Sequence, residues 1–141
     1  YKKNPESIIN LEIKKSHEYA SDIMKAVIAN VDFKLNGNVY NNDLINNLPD
    51  DCVVEVPCTI NSKGIKPHKI GKIPIQLAAL MRTNINVQLL TVEATLTRKK
   101  EYIYQAALLD PHTASELSID NICKLIDELL IAHGDYLPQY N

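Results

Sequence analysis

Apolar residues recur at helical spacing from Pro5 to about Asn30, where Ile9, Ile13, Ala20, Ile23, Met24 and Val27 share one side. Lys14, Lys15, Glu18 and Lys25 are left for other faces, so the segment predicts a long amphipathic helix. The period then changes to two through Val31, Phe33 and Leu35 and is expected to break at Asn36-Gly37, a pair suited to a turn or bulge. A second strand, CVVEVPCTI, places Cys52, Val54, Val56, Cys58 and Ile60 on one face and Val53, Glu55, Pro57 and Thr59 on the other. Pro57 removes a ladder donor, which puts it at an edge or a bulge. The segment NSKGIKPHKIGKIP reads as loop with short strand pieces.

From Ile75 to about Leu96 the chain is apolar around much of a helical circumference, as in a helix enclosed by others. A helix from about Lys99 to Leu109 is expected to end before the Asp110-Pro111 break. The last helix opens at Ser118, an N-cap residue with Asp120 in the first turn. Ile119, Ile122, Cys123, Ile126, Leu129 and Leu130 form its expected buried stripe, and Gly134 its stop. Together these elements predict an α+β domain with long helices packed on a small antiparallel or mixed sheet.

With 141 residues the chain has the length of one domain. A net charge of -2 gives no electrostatic reason to expect nucleic acid or anionic lipid, and no apolar run reaches the roughly 20 residues of a membrane span. Cys52, Cys58 and Cys123 are odd in number and set among apolar residues, the usage of a reduced, cytoplasmic protein. On an extended strand Cys52 and Cys58 would stand roughly 20 Å apart, too far to bridge or to share a metal, so they read as small buried hydrophobes.

The four glycines build neither G-x-G-x-x-G nor a P-loop, and there is no G-x-S-x-G or H-E-x-x-H. His17, His68, His112 and His133 fall in different segments and read as surface or helix-end residues. Arg98-Lys99-Lys100 reads as a solvated helix junction. On the central helix Arg82, Asn86 and Glu93 lie within about 40° of one another, beside a stripe of Ala78, Ile85, Val92 and Leu96. That polar line is either an internal network or the wall of a polar-ligand cavity, and periodicity does not decide between them. Asn36 and Asn38 carry the same two readings, turn chemistry or amides offered to a sugar-like ligand.

Six stretches, SHEYAS, NGNVYNN, NLPDDCVVEVPC, GIKP, RTNINVQLLTVEATL and ALLDPHTASELSIDNI, resemble in order and spacing the C-terminal part of glycoside hydrolase family 4, on its α-galactosidase and α-glucosidase side. The resemblance implies a C-terminal domain of the lactate dehydrogenase-like type, belonging to a longer cytoplasmic α-glycosidase, most closely an α-galactosidase. It implies NAD and a divalent metal, usually manganese, in the complete enzyme, which hydrolyses O-glycosidic bonds by redox elimination and addition. The family's glycine-rich turn, metal ligands and proton-abstracting residue come from earlier in the chain, so this part alone is expected to be inactive, with no catalytic, cofactor or metal residue of its own.

Its expected partners are its own N-terminal nucleotide-binding domain, an α-glycoside substrate and further copies of itself. Asn36, Asn38, Glu55, Arg82 and Asn86 are the candidate substrate-binding residues. Glu55 would line or brace the junction with the nucleotide domain. An α-glucosidase or α-glucuronidase of the same family, or a non-catalytic binding or oligomerisation module, are the alternatives.

Overall fold

The computed structural model describes residues 18–141. Helix α1 spans Ala20–Ala29, followed by strands β1 (Phe33–Tyr40), β2 (Val53–Asn61) and β3 (Gly64–Pro67). Helices α2 (Ile75–Thr97), α3 (Lys100–Leu109), α4 (Pro111–Glu116) and α5 (Ile119–His133) complete the chain, with a 3-10 turn at Gly134–Tyr136. The strands form one antiparallel sheet in the order β1-β2-β3, and helices pack on it. Two compact units can be distinguished, residues 36–57 with 67–141, and the remainder.

In the smaller unit Ala26, Cys58 and Ile60 are buried, whereas Met24 and Val27 of the predicted helical stripe are exposed. The chain leaves α1 through Asn30, whose left-handed φ of 52° lets the next N–H, of Val31, reach back to the Ala26 carbonyl at 3.1 Å. Ile9, Ile13 and the rest of the predicted helix before residue 18 lie outside the described residues, as does His17.

β1 corrects the expected break: it runs through Asn36-Gly37 without a turn, because half-buried and exposed positions keep alternating to Tyr40. β2 matches its predicted faces, with Cys52, Val54, Val56, Cys58 and Ile60 all buried and Val53, Glu55 and Pro57 exposed. Pro57 sits on the central strand, yet its carbonyl accepts from the His68 N–H at 2.9 Å, just past the end of β3. A residue in an antiparallel pair points its N–H and C=O to the same side, so the missing donor falls where β3 has already ended.

In the larger unit the segment 41–52 is built around Asn41, which is completely buried. Its Oδ1 accepts from the Ile45 N–H at 2.7 Å, and its two amide hydrogens are shared among the carbonyls of Ile45, Leu48 and Pro49 at 3.0 to 3.1 Å. Asn47 holds the same segment to the stretch before α2, donating to the Ile73 carbonyl at 2.9 Å and accepting from its N–H at 3.0 Å. Asp43 accepts from Asn46 and from Lys69 (2.6 Å), and the hydrogen bond from Lys69 is the main cause of a carboxyl held below its usual pKa. Ile45 and Leu48 can therefore enter the core although they lie on a connection.

α2 contacts α3, α3 contacts α5, and α4 bridges α3 and α5. Ala78 and Ile85 are buried as expected, but Val92 and Leu96 are 53% and 74% exposed, because the second half of α2 turns Ala94 inward instead. The basic run is a helix junction: Arg98 ends α2 with a φ of 60° and Lys100 begins α3. Asn141 folds back on this corner, donating to the Arg98 carbonyl and accepting from the Lys100 N–H, both at 2.8 Å.

α3 ends at Leu109, before Asp110-Pro111, as expected, but the same pair also starts α4, which has no counterpart in the pattern of the sequence. Asp110 accepts from the Thr113 N–H at 2.8 Å while Pro111 occupies the first turn, where its missing N–H costs nothing. α5 matches its predicted start, with Ser118 Oγ accepting from the Asn121 N–H at 3.4 Å. Of its predicted stripe, Ile122 and Ile126 are buried and Cys123 and Leu130 half-buried, while Ile119 and Leu129 are exposed.

Candidate functional site

The Asn41 N–H donates to the Cys52 carbonyl at 2.8 Å, directly beyond the paired ends of β1 and β2. Stepping back along both strands from this pair sets Tyr40 opposite Val53, Asn38 opposite Glu55 and Asn36 opposite Pro57. Unbroken alternation of exposure along both strands excludes a bulge in this stretch. Asn36, Asn38 and Glu55 are thus brought to one exposed sheet face, and opposed side chains of this kind start about 5 Å apart at Cβ. Glu55 stands among apolar residues only in sequence; on the strand it points away from Val54 and Val56.

Arg82 and Asn86 are one turn apart on α2, and both are exposed, as is Glu93. The reading of this line as a buried network is therefore corrected. The guanidinium has no hydrogen bond or ion pair to another described residue. It does lie within electrostatic reach of Cys52, whose thiol is pushed up in pKa first by burial and then by Asp51, while Arg82 acts in the opposite direction. Asn86 and Glu93 line an open groove of about 570 Å³ together with Tyr40 and Asp51. Tyr40 is 71% exposed and shares the sheet face of Asn36 and Asn38.

The five predicted residues accordingly form two patches in one compact unit, Asn36, Asn38 and Glu55 on the sheet and Arg82 and Asn86 on α2. Sequence reasoning missed Tyr40 and Asp51. The signal for Tyr40 was available, since the period of two that carries Asn36 and Asn38 also carries Tyr40 once no turn interrupts it. Among the described residues no three His, Cys, Asp or Glu side chains gather as a metal site.

Comparison with known proteins gives the class of this α+β domain. The Family 4 glycosyl hydrolase C-terminal domain matches residues 1–113, and the chain belongs to that family. The α-galactosidase of Bacillus subtilis (strain 168) is 54% identical over 131 residues, covering 93% of this chain and 30% of the relative. A 6-phospho-α-glucosidase from gut microorganisms, solved with NAD and glucose-6-phosphate, superposes with a TM-score of 0.75 at 26% identity, over 85% of this chain and 26% of that one. Another, solved with NAD and Mn2+, reaches 0.80 at 20% identity over 93% of this chain and 29% of that one, a likeness of fold.

The fold is thereby of the lactate dehydrogenase-like type expected from the sequence. The chain spans less than a third of the length of these relatives. Among its described residues there is no cluster of three metal-ligating side chains, and its sequence has no glycine-rich dinucleotide turn.

Proposed function

We propose that this domain is the substrate-facing part of an NAD- and metal-dependent α-glycosidase, acting first on α-galactosides, with Asn36, Asn38, Glu55, Arg82 and Asn86 turned toward the sugar. The observation that carries the reading is the 54% identity to an α-galactosidase across nearly the whole chain. The exposed amides of Asn36, Asn38 and Asn86 offer both donors and acceptors to hydroxyl groups, Glu55 offers acceptors, and Arg82 offers fixed donors. None of these groups is committed to a buried network, so each can exchange water for a ligand. The nucleotide-binding domain that supplies the cofactor turn and metal ligands packs beside this one, and the assembly is cytoplasmic and oligomeric.

The test is a chimera in which this chain replaces the matching segment of the Bacillus subtilis α-galactosidase. Assayed with NAD and manganese on nitrophenyl α-glycosides, it is expected to release nitrophenol from the galactoside in preference to the glucoside and glucuronide. A folded chimera that binds NAD but hydrolyses none of the three overturns the reading. The 141-residue chain alone is expected to release none, and NAD- and manganese-dependent hydrolysis by it would show that catalysis needs no further domain.

A further inference from the structure

β1 is an edge strand: β2 pairs with it on one side, and no other strand among the described residues lies on the other. The bond from the Asn41 N–H to the Cys52 carbonyl fixes which residues turn which way. Alternation back from Asn41 directs the N–H and C=O of Val39, Gly37 and Leu35 toward β2, and those of Tyr40, Asn38, Asn36 and Lys34 toward the open edge. Pro57 agrees, since its carbonyl accepts from His68 on the β3 side and so leaves the opposed Asn36 pointing outward.

Such an edge is a template for another chain unless it is shielded. β1 contains no proline, its unbroken alternation leaves no bulge, and its half-buried residues Phe33, Leu35, Gly37 and Val39 carry no charge. Lys34, near one end, is the single charge on the strand.

We propose that this edge pairs with β1 of a second copy of the chain, antiparallel about a twofold axis at Gly37. An axis at Asn36, Gly37 or Asn38 lets outward groups meet, but only the one at Gly37 keeps the whole run from Lys34 to Tyr40 within the paired strands. It sets Lys34 against the partner's Tyr40 and Asn36 against the partner's Asn38, with glycine facing glycine at the axis, where no side chains crowd. The ammonium then meets an aromatic ring and not a second ammonium, and each amide meets a group that both donates and accepts. Pairing joins two three-stranded sheets into one, and the partner's Asn38 and Tyr40 extend the exposed face that carries Asn36 and Asn38. The inference needs only the register and the open edge, and it stands apart from the glycosidase reading.

The experiment combines sedimentation equilibrium with amide exchange on the 141-residue chain. The N–H groups of Asn36, Asn38 and Tyr40 are expected to exchange at least about tenfold more slowly in concentrated than in dilute solution. In Asn36→Lys/Asn38→Lys, lysine faces lysine at both pairs, and the dissociation constant is expected to rise at least about tenfold. Asn36→Glu/Asn38→Lys keeps the second lysine, opposite Glu55 of its own sheet, but sets glutamate against lysine across the axis. It should return the constant to within about threefold of that of the unaltered chain. An axis at Asn36 or Asn38 would leave like charges facing each other in both variants, so the rescue is specific to the register.

A monomer at every concentration, association indifferent to the two lysines, a glutamate that fails to restore it, or exchange independent of concentration overturns the proposal. Association driven by apolar helix faces instead would show the second of these outcomes. Should a variant fail to fold, the exchange of the unaltered chain decides by itself.

Discussion

Asn41 donates to three carbonyls of the segment 41–52 and accepts from the Ile45 N–H; the Ile45 and Pro49 carbonyls also accept from the Leu48 and Cys52 N–H groups, whereas the buried Leu48 carbonyl and Ile45 N–H depend on the amide. Removing one partner of a buried hydrogen bond exposes the desolvation cost of the other, so Asn41→Ala is expected to cost on the order of 3 kcal/mol. Asn41→Asp should be at least as damaging near neutral pH, since a carboxylate would face carbonyl oxygens and donate nothing. Chemical denaturation of both variants checks this, and a loss under about 0.5 kcal/mol would show that water substitutes for the amide.

Arg82 presents the opposite case. Exposed and without a hydrogen-bond partner among the described residues, it contributes little to the fold, and Arg82→Ala should shift stability by less than about 0.5 kcal/mol. If it serves the sugar, the same change in the complete enzyme lowers kcat/KM by at least about tenfold. Melting temperature and kinetics measured on one preparation separate the roles, and a large fall in melting temperature with turnover preserved would place Arg82 in the structure.

At the scale of the elements, helix starts decide how well α4 and α5 form. Ser118→Ala removes the α5 cap and is expected to cost about 1 kcal/mol, read from the denaturation midpoint. Asp110 caps α4, and its hydrogen bonds from the Thr113 hydroxyl and N–H, in that order, hold its carboxyl below the usual value. The folded pKa being the lower one, the stabilisation is fully present above the unfolded value of about 3.9 and is lost as pH falls through the folded value beneath it. The Thr113 amide resonance should therefore shift below about pH 4, and Asp110→Asn should remove that transition. A shift that survives in the variant would assign it to another group.

These two starts also show what the sequence makes legible. Ser118 is followed by a clean periodic stripe, and its cap could be read directly. Asp110-Pro111 carries the same cap chemistry, but α4 is only six residues long, too short for a periodic pattern, and the proline reads as a stop. Likewise the alternation of β2 was plain because every second residue is apolar. β1 alternates apolar residues with Lys34, Asn36 and Asn38 around a glycine, and the turn propensity of Asn36-Gly37 masks the period. The role of Asn41 had no local signal, since its partners lie four to eight residues away and are all backbone. Of the candidate site, the residue types on the sheet and on α2 were legible, but their division into two patches was set by the strand register.

At the scale of the molecule, α2 and α5 leave large apolar side chains exposed to solvent. Ile75, Leu80 and Leu96 of α2 and Ile119 and Ile131 of α5 are each at least 65% exposed. Scattered singly such residues are ordinary, but runs of them on helices favour association. The 141-residue chain is expected to self-associate as its concentration rises, and light scattering that reports a strictly monomeric species throughout would refute this.

The alternation of β1 and β2 has a further effect on how such a domain can change over generations. Residues that hold the fold and residues that meet the outside occupy the same two strands but never the same positions, so selection on one set leaves the other largely untouched. Asn36, Asn38 and Glu55 can be exchanged one at a time while Val54, Val56 and Cys58 stay fixed. A shift of a single residue in either strand has no such freedom, for it would carry an amide or a carboxylate into the interior and a valine into water. New preferences on this face are thus reachable by substitution, whereas insertion or deletion within the strands is closed to it.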